Sequence, residues 1–181
     1  FLLGATEASI MRGQMVRPDN HLVGPGLYNQ VFTMHGTTMI FLVVVPMLVG
    51  FATYFVPLMI GTRDMAFPRL NAFSFWIFLF GGLLLYYSFL AGGAPAAGWF
   101  SYAPLSEGAY STGTGLDYWA LGLLGGGAGT VAGAINLIVT ILTLRVPGLS
   151  LRRVPLFVWM VLVNAFIISF ALPPLNAALV M

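Results

Sequence analysis

Two residues in this chain carry side chains that could handle a metal or a proton inside largely apolar surroundings. His35 lies in YNQVFTMHGTTMIF, residues 28–41, some five positions inside a long apolar run. At 1.5 Å per residue that is roughly 8 Å below the edge of the run. An ionisable side chain at such a depth is costly and usually functional. Neutral imidazole is the commonest metal ligand, and one histidine on a helix suits haem iron. Gly36 and Thr37 keep the neighbouring surface small. A histidine bonded to another helix is the alternative reading. Asp64 lies in GTRDMAFPRLN, residues 61–71, between two apolar runs. A carboxylate there can collect protons from solvent and pass them to waters in a bundle. It can equally pair with Arg63 or Arg69, or cap a turn. His21, beside Asp19 and Asn20, reads as a solvated loop residue.

The elements that must position these residues are membrane spans. Of the 181 residues, 59% are hydrophobic and only 7% charged. A soluble domain carries roughly 25% charged residues, so a soluble fold is excluded. The 7 basic residues, all Arg, face 5 acidic ones; that is too sparse for nucleic-acid binding. With no Cys there is no disulfide framework, thiolate metal site or cysteine nucleophile. Four apolar runs, 31–57, 73–91, 119–144 and 155–180, reach the roughly 20 residues a span needs. Only the first holds a histidine, and none holds a charged residue. Residues 1–10 are too few to span and carry Glu7, so they read as the end of a further helix, and the chain as a fragment of a longer protein. The expected fold class is an all-α membrane protein, a polytopic transmembrane bundle of four full spans plus the end of a fifth.

Loop charges set the orientation. Arg63, Arg69, Arg145, Arg152 and Arg153 fall in loops 62–70 and 145–154, whereas only Arg12 and Arg17 fall in 12–29, and loop 92–118 has none. The positive-inside rule places the first two loops in the cytoplasm and the other two outside. Within 119–144, Gly125, Gly129 and Gly133 recur every four residues, a stripe that lets helix backbones approach closely. Asn136 and Thr140 continue it as a polar face. That face reads either as hydrogen-bonded packing or as the wall of a water path. Pro46, inside the first span, predicts a kink.

Several strings together resemble a known family, subunit I of the haem–copper oxidases. They are residues 28–41, with the string MHGTTMIF, 57–76, with DMAFPRLNAFSFW, 98–105, 133–136 and 155–159. Order and spacing match too, and the resemblance covers essentially the whole chain, as one partial domain over 1–181 running from the end of that subunit's first helix through its fifth. It implies a respiratory terminal oxidase of the cytochrome-c oxidase type. In that reading electrons pass through a low-spin haem to a haem–copper centre that reduces O2 to water, coupled to proton uptake and translocation.

Carried over by position, His35 matches an axial ligand of the low-spin haem iron (haem a or b). Arg12 matches an arginine at the haem edge. Tyr28 and Trp99 match residues near the propionates. Asp64 matches the entrance of a proton pathway, Asn71 an asparagine just inside it, and Thr130 and Asn136 polar residues further along. The high-spin haem, copper, copper ligands and second low-spin ligand are expected in the full-length subunit only, so this fragment alone is expected to be inactive. Implied partners are subunits II and III, cytochrome c or a quinol as donor with cytochrome c favoured, and the lipid bilayer; the implied location is a bacterial inner membrane. A quinol oxidase of the same superfamily and a non-catalytic transmembrane bundle are the alternatives, and the 64–76 string argues against a nitric-oxide reductase. The sequence departs from the family at Ala72 and Thr53, where pathway asparagines are common, and at Gly129 and Thr130, where a Ser–Ser pair is typical. Gln14 replaces the Glu of a bound-cation site, so no such cation is expected.

Overall fold

The structure, a computed structural model, describes Phe1–Val180. Its elements are α1 (Leu2–Gln14), α2 (Pro25–Thr37), a π-helical segment (Thr38–Val44), α3 (Val45–Ile60), α4 (Pro68–Tyr87), α5 (Gly115–Thr143), a 3-10 turn (Leu151–Arg153) and α6 (Leu156–Ala178). There is no strand among the described residues. The expected class, an all-α membrane bundle, is the one observed. Four helices are long and apolar enough to cross a membrane: Pro25–Ile60, Pro68–Tyr87, Gly115–Thr143 and Leu156–Ala178.

Helix ends differ from the hydropathy limits for identifiable reasons. The first and second spans begin six and five residues earlier than 31 and 73, at Pro25 and Pro68. Proline is pre-set for the first helical position, where its missing N–H is not needed. The second stops at Tyr87 rather than 91 because the next residues tighten into three-residue turns, with Ser88, Phe89 and Leu90 N–H donating to Leu85, Tyr86 and Tyr87 carbonyls. Where a kink is expected at Pro46, the structure shows a change of helix type. Pro46 cannot donate to the carbonyl four residues back, and its ring crowds that carbonyl. The helix widens to π geometry over the seven residues Thr38–Val44 just before it, one of the known ways a helix absorbs such a defect.

The chain packs as two compact units. The first comprises Phe1–Val45 and Gly82–Gly122, the second Pro46–Gly81 and Leu123 onward. In the first, α1 lies against α2, and Thr33 and Thr37, one turn apart on α2, form a hydroxyl ladder. Thr33 Oγ1 donates to Asn29 O at 2.8 Å and accepts the N–H of Gly98 at 2.9 Å. Thr37 Oγ1 donates to Thr33 O at 2.8 Å and accepts the indole N–H of Trp119 at 2.9 Å. The ladder pins the long 88–114 loop and the start of α5 to one face of α2.

In the second unit each helix buries one stripe. Ala52, Val56 and Ile60 of α3, Ala134, Leu137 and Ile141 of α5, and Val158, Leu162 and Ala165 of α6 share one core with Met65 and Val154. The spacings of three and four residues are those of a single helical face. The glycine stripe packs as expected. A Cβ on Gly129 would stand 2.7 Å from the carbonyl oxygen of Ser74 and 2.8 Å from Ile77 Cγ2. Any larger residue there must push α4 and α5 apart.

Candidate functional site

His35 lies on α2, partly buried. Its ring nitrogen Nδ1 is 2.9 Å from the backbone carbonyl oxygen of Gly4 on α1. A carbonyl only accepts, so Nδ1 carries the proton. In a neutral imidazole the lone pair then sits on Nε2. That is the arrangement of a metal-ligating histidine, whose second nitrogen donates to a carbonyl that fixes the ring and strengthens it as a donor. Gly4 lets α1 come this close: a Cβ on it would stand 2.7 Å from Met39 Sδ and 3.3 Å from Thr38 Cγ2, so both side chains would have to shift.

The residues expected around such a ligand fall at different distances from it. A Cβ on Gly36 would lie 3.1 Å from Trp99 Cβ and Cδ1, so the indole packs on the bare backbone beside His35, with Phe41 at a ring-centroid distance of 6.3 Å. Tyr28, seven residues before His35, lies on the same helix face, and its hydroxyl reaches Met15 Sδ at 3.7 Å. Arg12 is exposed in the last turn of α1, about 12 Å along the axis from Gly4. The structure therefore brings Trp99 beside His35, aligns Tyr28 with it, and leaves Arg12 further along the helix that the histidine grips. Among the described residues no cluster of three or more His, Cys, Asp or Glu could hold a bare metal ion. One histidine whose Nε2 has no partner among the described residues, beside a glycine and aromatic rings, has the chemistry to hold a haem iron.

Glu7 stands out in the sequence only as a charge in an apolar segment. It is 7% exposed. Its Oε1 accepts the Tyr86 hydroxyl proton at 3.0 Å, and Tyr86 Oη lies 2.6 Å from Thr38 Oγ1. Its Oε2 is buried without a partner among the described residues. Glu7 follows Gly4 by three residues, so it lies on the α1 face that meets α2. That spacing was the available signal.

In the second unit, Gly61 ends α3 with φ +77°, the left-handed conformation that favours glycine at a helix C-terminus. The chain then turns into the loop that carries Asp64. The Asp64 side chain is exposed. Its Oδ1 accepts the Met65 N–H at 2.7 Å, while Thr62 Oγ1 donates to its backbone carbonyl at 3.1 Å. Neither Arg63 nor Arg69 is hydrogen-bonded to it among the described residues.

The loop is tied to α5. Ala66 N–H donates to Thr140 Oγ1 and Phe67 N–H to Asn136 Oδ1, each at 2.9 Å, and Asn136 Nδ2 donates to Phe67 O at 3.0 Å. The Phe67 carbonyl also accepts the N–H of Asn71, in the first turn of α4, at 3.0 Å. Asn71, Asn136 and the Asp64 loop thus converge on the Phe67 peptide. Thr130 stands apart, six residues earlier on α5. Its hydroxyl donates to the carbonyl of Gly126 at 2.7 Å, and it borders an open apolar groove of about 540 Å3 between α3, α5 and α6, lined also by Ala52, Phe55, Ala134 and Ala165. Of the two readings left open for the polar face of α5, the hydrogen bonds observed are those of packing against a loop.

Comparison with known proteins adds an independent line. Residues 1–181 match the family described as "Cytochrome C and Quinol oxidase polypeptide I". The chain is 51% identical over 180 residues to cytochrome c oxidase subunit 1 of Bacillus sp. strain PS3, covering 99% of this chain and 29% of that protein. It is 46% identical over 182 residues to putative cytochrome c oxidase subunit 1-beta of Streptomyces coelicolor, covering 100% and 32%. It is 46% identical over 176 residues to quinol oxidase subunit 1 of Bacillus spizizenii, covering 97% and 27%. The chain spans less than a third of the length of these relatives.

Proposed function

The chain belongs to the cytochrome c and quinol oxidase polypeptide I family, and on that premise we propose that it forms part of the catalytic subunit of a respiratory terminal oxidase. The observation that carries the reading is the Nδ1–H bond from His35 to the Gly4 carbonyl, which leaves Nε2 to bind iron. A low-spin haem closed by two protein ligands supplies one-electron transfer rather than oxygen binding. His35 would hold such a haem through Nε2, Trp99 and Tyr28 would line its surroundings, and Arg12 would supply a positive charge near it. The copper ligands and the second low-spin ligand would come from the remainder of the full-length subunit, where a haem–copper centre would supply dioxygen reduction.

Asp64 collects protons from the cytoplasm. Its exposed carboxylate attracts them at the mouth and passes them to ordered water, as intramembrane relays require. Asn71 lies just inside, with Thr130 and Asn136 further along. Proton uptake from one side, with electrons from the other, builds a membrane potential. The arginine bias supports this orientation in a bacterial inner membrane. A topology reporter fused within 145–154 is expected to read cytoplasmic, and one within 106–115 exterior. The reverse labelling would overturn the side from which protons are drawn.

We assign cytochrome c as the electron donor, and subunits II and III as partners. The quinol oxidase relative at 46% identity favours a second reading, in which a quinol feeds the same haem. The two separate in a turnover assay on the purified full-length complex. Oxygen consumption with reduced cytochrome c, and little with a quinol, is the expected result; the opposite preference would establish the quinol oxidase.

A further inference from the structure

Three successive amides in the Asp64 loop, those of Met65, Ala66 and Phe67, lie outside regular secondary structure, where each N–H must find a partner. All three find a side chain. Met65 N–H goes to the Asp64 carboxylate, Ala66 N–H to Thr140 Oγ1, and Phe67 N–H to Asn136 Oδ1. Asn136 and Thr140 sit one turn apart on α5 and are both 0% exposed. The Thr140 hydroxyl gives its own proton to the Asn136 carbonyl at 2.6 Å, which orients its lone pairs for Ala66. The Asn136 carboxamide meets the Phe67 peptide group with two antiparallel bonds, through Oδ1 and Nδ2, as one peptide meets another in a β-bridge.

From this geometry we propose that Asn136 and Thr140 are positioning residues: they fix the backbone of residues 65–67 and so hold the Asp64 carboxylate, itself keyed to the Met65 amide, at the proton entrance. Each side chain bonds the main chain of residues 66–67, so its contribution to proton uptake runs through the loop. The proposal rests on the reading of Asp64 as the entrance. It departs from that reading's view of Asn136 as a group along the path, and it adds Thr140.

The test uses the full-length complex with Thr140→Val, Thr140→Ser and Asp64→Asn. Thr140→Val keeps the shape and removes the acceptor for Ala66. Amide hydrogen exchange across residues 65–67 is then expected to run at least about five-fold faster, as loss of one net hydrogen bond implies. Proton uptake per haem is expected to fall several-fold at unchanged haem content, and Thr140→Ser, which restores the hydroxyl, is expected to recover both. Should Thr140→Val not assemble, Thr140→Ala removes the hydroxyl without adding a methyl and is read the same way. Unchanged exchange would overturn the proposal. So would slower proton uptake with unchanged exchange, the mark of a side chain that carries protons itself. Faster exchange with wild-type uptake would overturn it as well. Wild-type turnover in Asp64→Asn would instead remove the entrance reading beneath it, whatever the exchange shows.

Discussion

Replacing His35 with Ala in the full-length subunit is expected to abolish the low-spin haem band and, with it, electron entry. The expectation follows from how little else in the first span can ligate iron. Between residues 31 and 57 no other residue is a histidine, a carboxylate or a cysteine, and methionines such as Met34 or Met39 bring only a thioether. Met34 is in any case fully buried, at 0% exposure. The Gly4 carbonyl would lose the group it orients but would gain no ligand in exchange. If His35 were only a helix–helix hydrogen bond, its removal would cost roughly 0.5–1.5 kcal/mol of stability and leave the spectrum intact. A reduced-minus-oxidised spectrum of the variant reads this directly; an intact low-spin band with normal turnover would remove His35 from the haem.

Asp64→Asn is expected to leave both haem spectra intact while oxygen consumption falls on the order of 10²-fold, the lower end of what a positioned proton-transferring side chain contributes. The substitution is well matched to the site. Among the described residues, the one bond the Asp64 side chain makes is acceptance of the Met65 N–H by Oδ1, and an asparagine oxygen can accept it equally. What is lost is the charge that attracts a proton and the group that can carry it. A purely local role gives a different pattern. A loop carboxylate that pairs with Arg63 or Arg69 contributes about 0–1 kcal/mol, and its loss would leave turnover at the wild-type rate. The two accounts differ in which quantity changes. Oxygen uptake and proton release by vesicles carrying the variant would decide between them; wild-type values in both would make Asp64 structural.

Much of this architecture is legible in the sequence because a bilayer imposes one strong demand, a long run without charge. The four runs located the four spans. Their ends were less legible, because Pro25 and Pro68 start helices by backbone geometry rather than by hydropathy, and a window of apolar residues does not register them. The π segment Thr38–Val44 was hidden for a similar reason: Pro46 signals that a hydrogen bond is lost, but not how neighbouring turns share the defect. At His35 the sequence supplied the imidazole and its depth. Its partner is the Gly4 carbonyl, and a main-chain oxygen has no signature in a sequence. The same holds for Asn136, whose side chain bonds the Phe67 peptide whatever residue stands at 67. Spacing was the legible part of such contacts. The pairs Thr33 with Thr37, and Asn136 with Thr140, stand one turn apart, which put each pair on one face without saying what that face would grip. Glu7 shows the limit from the other direction. Its oddness in an apolar segment was plain, while its bond to Tyr86 depends on a contact 79 positions away in the chain.

The most direct test of the account is an experimental density map of the full-length complex at a resolution that places the His35 ring. A haem iron is expected on Nε2 of His35, with Nδ1 still donating to the Gly4 carbonyl and the Trp99 indole lying on Gly36. A map in which Nε2 is taken by another protein group, and the low-spin haem is ligated elsewhere, would contradict it.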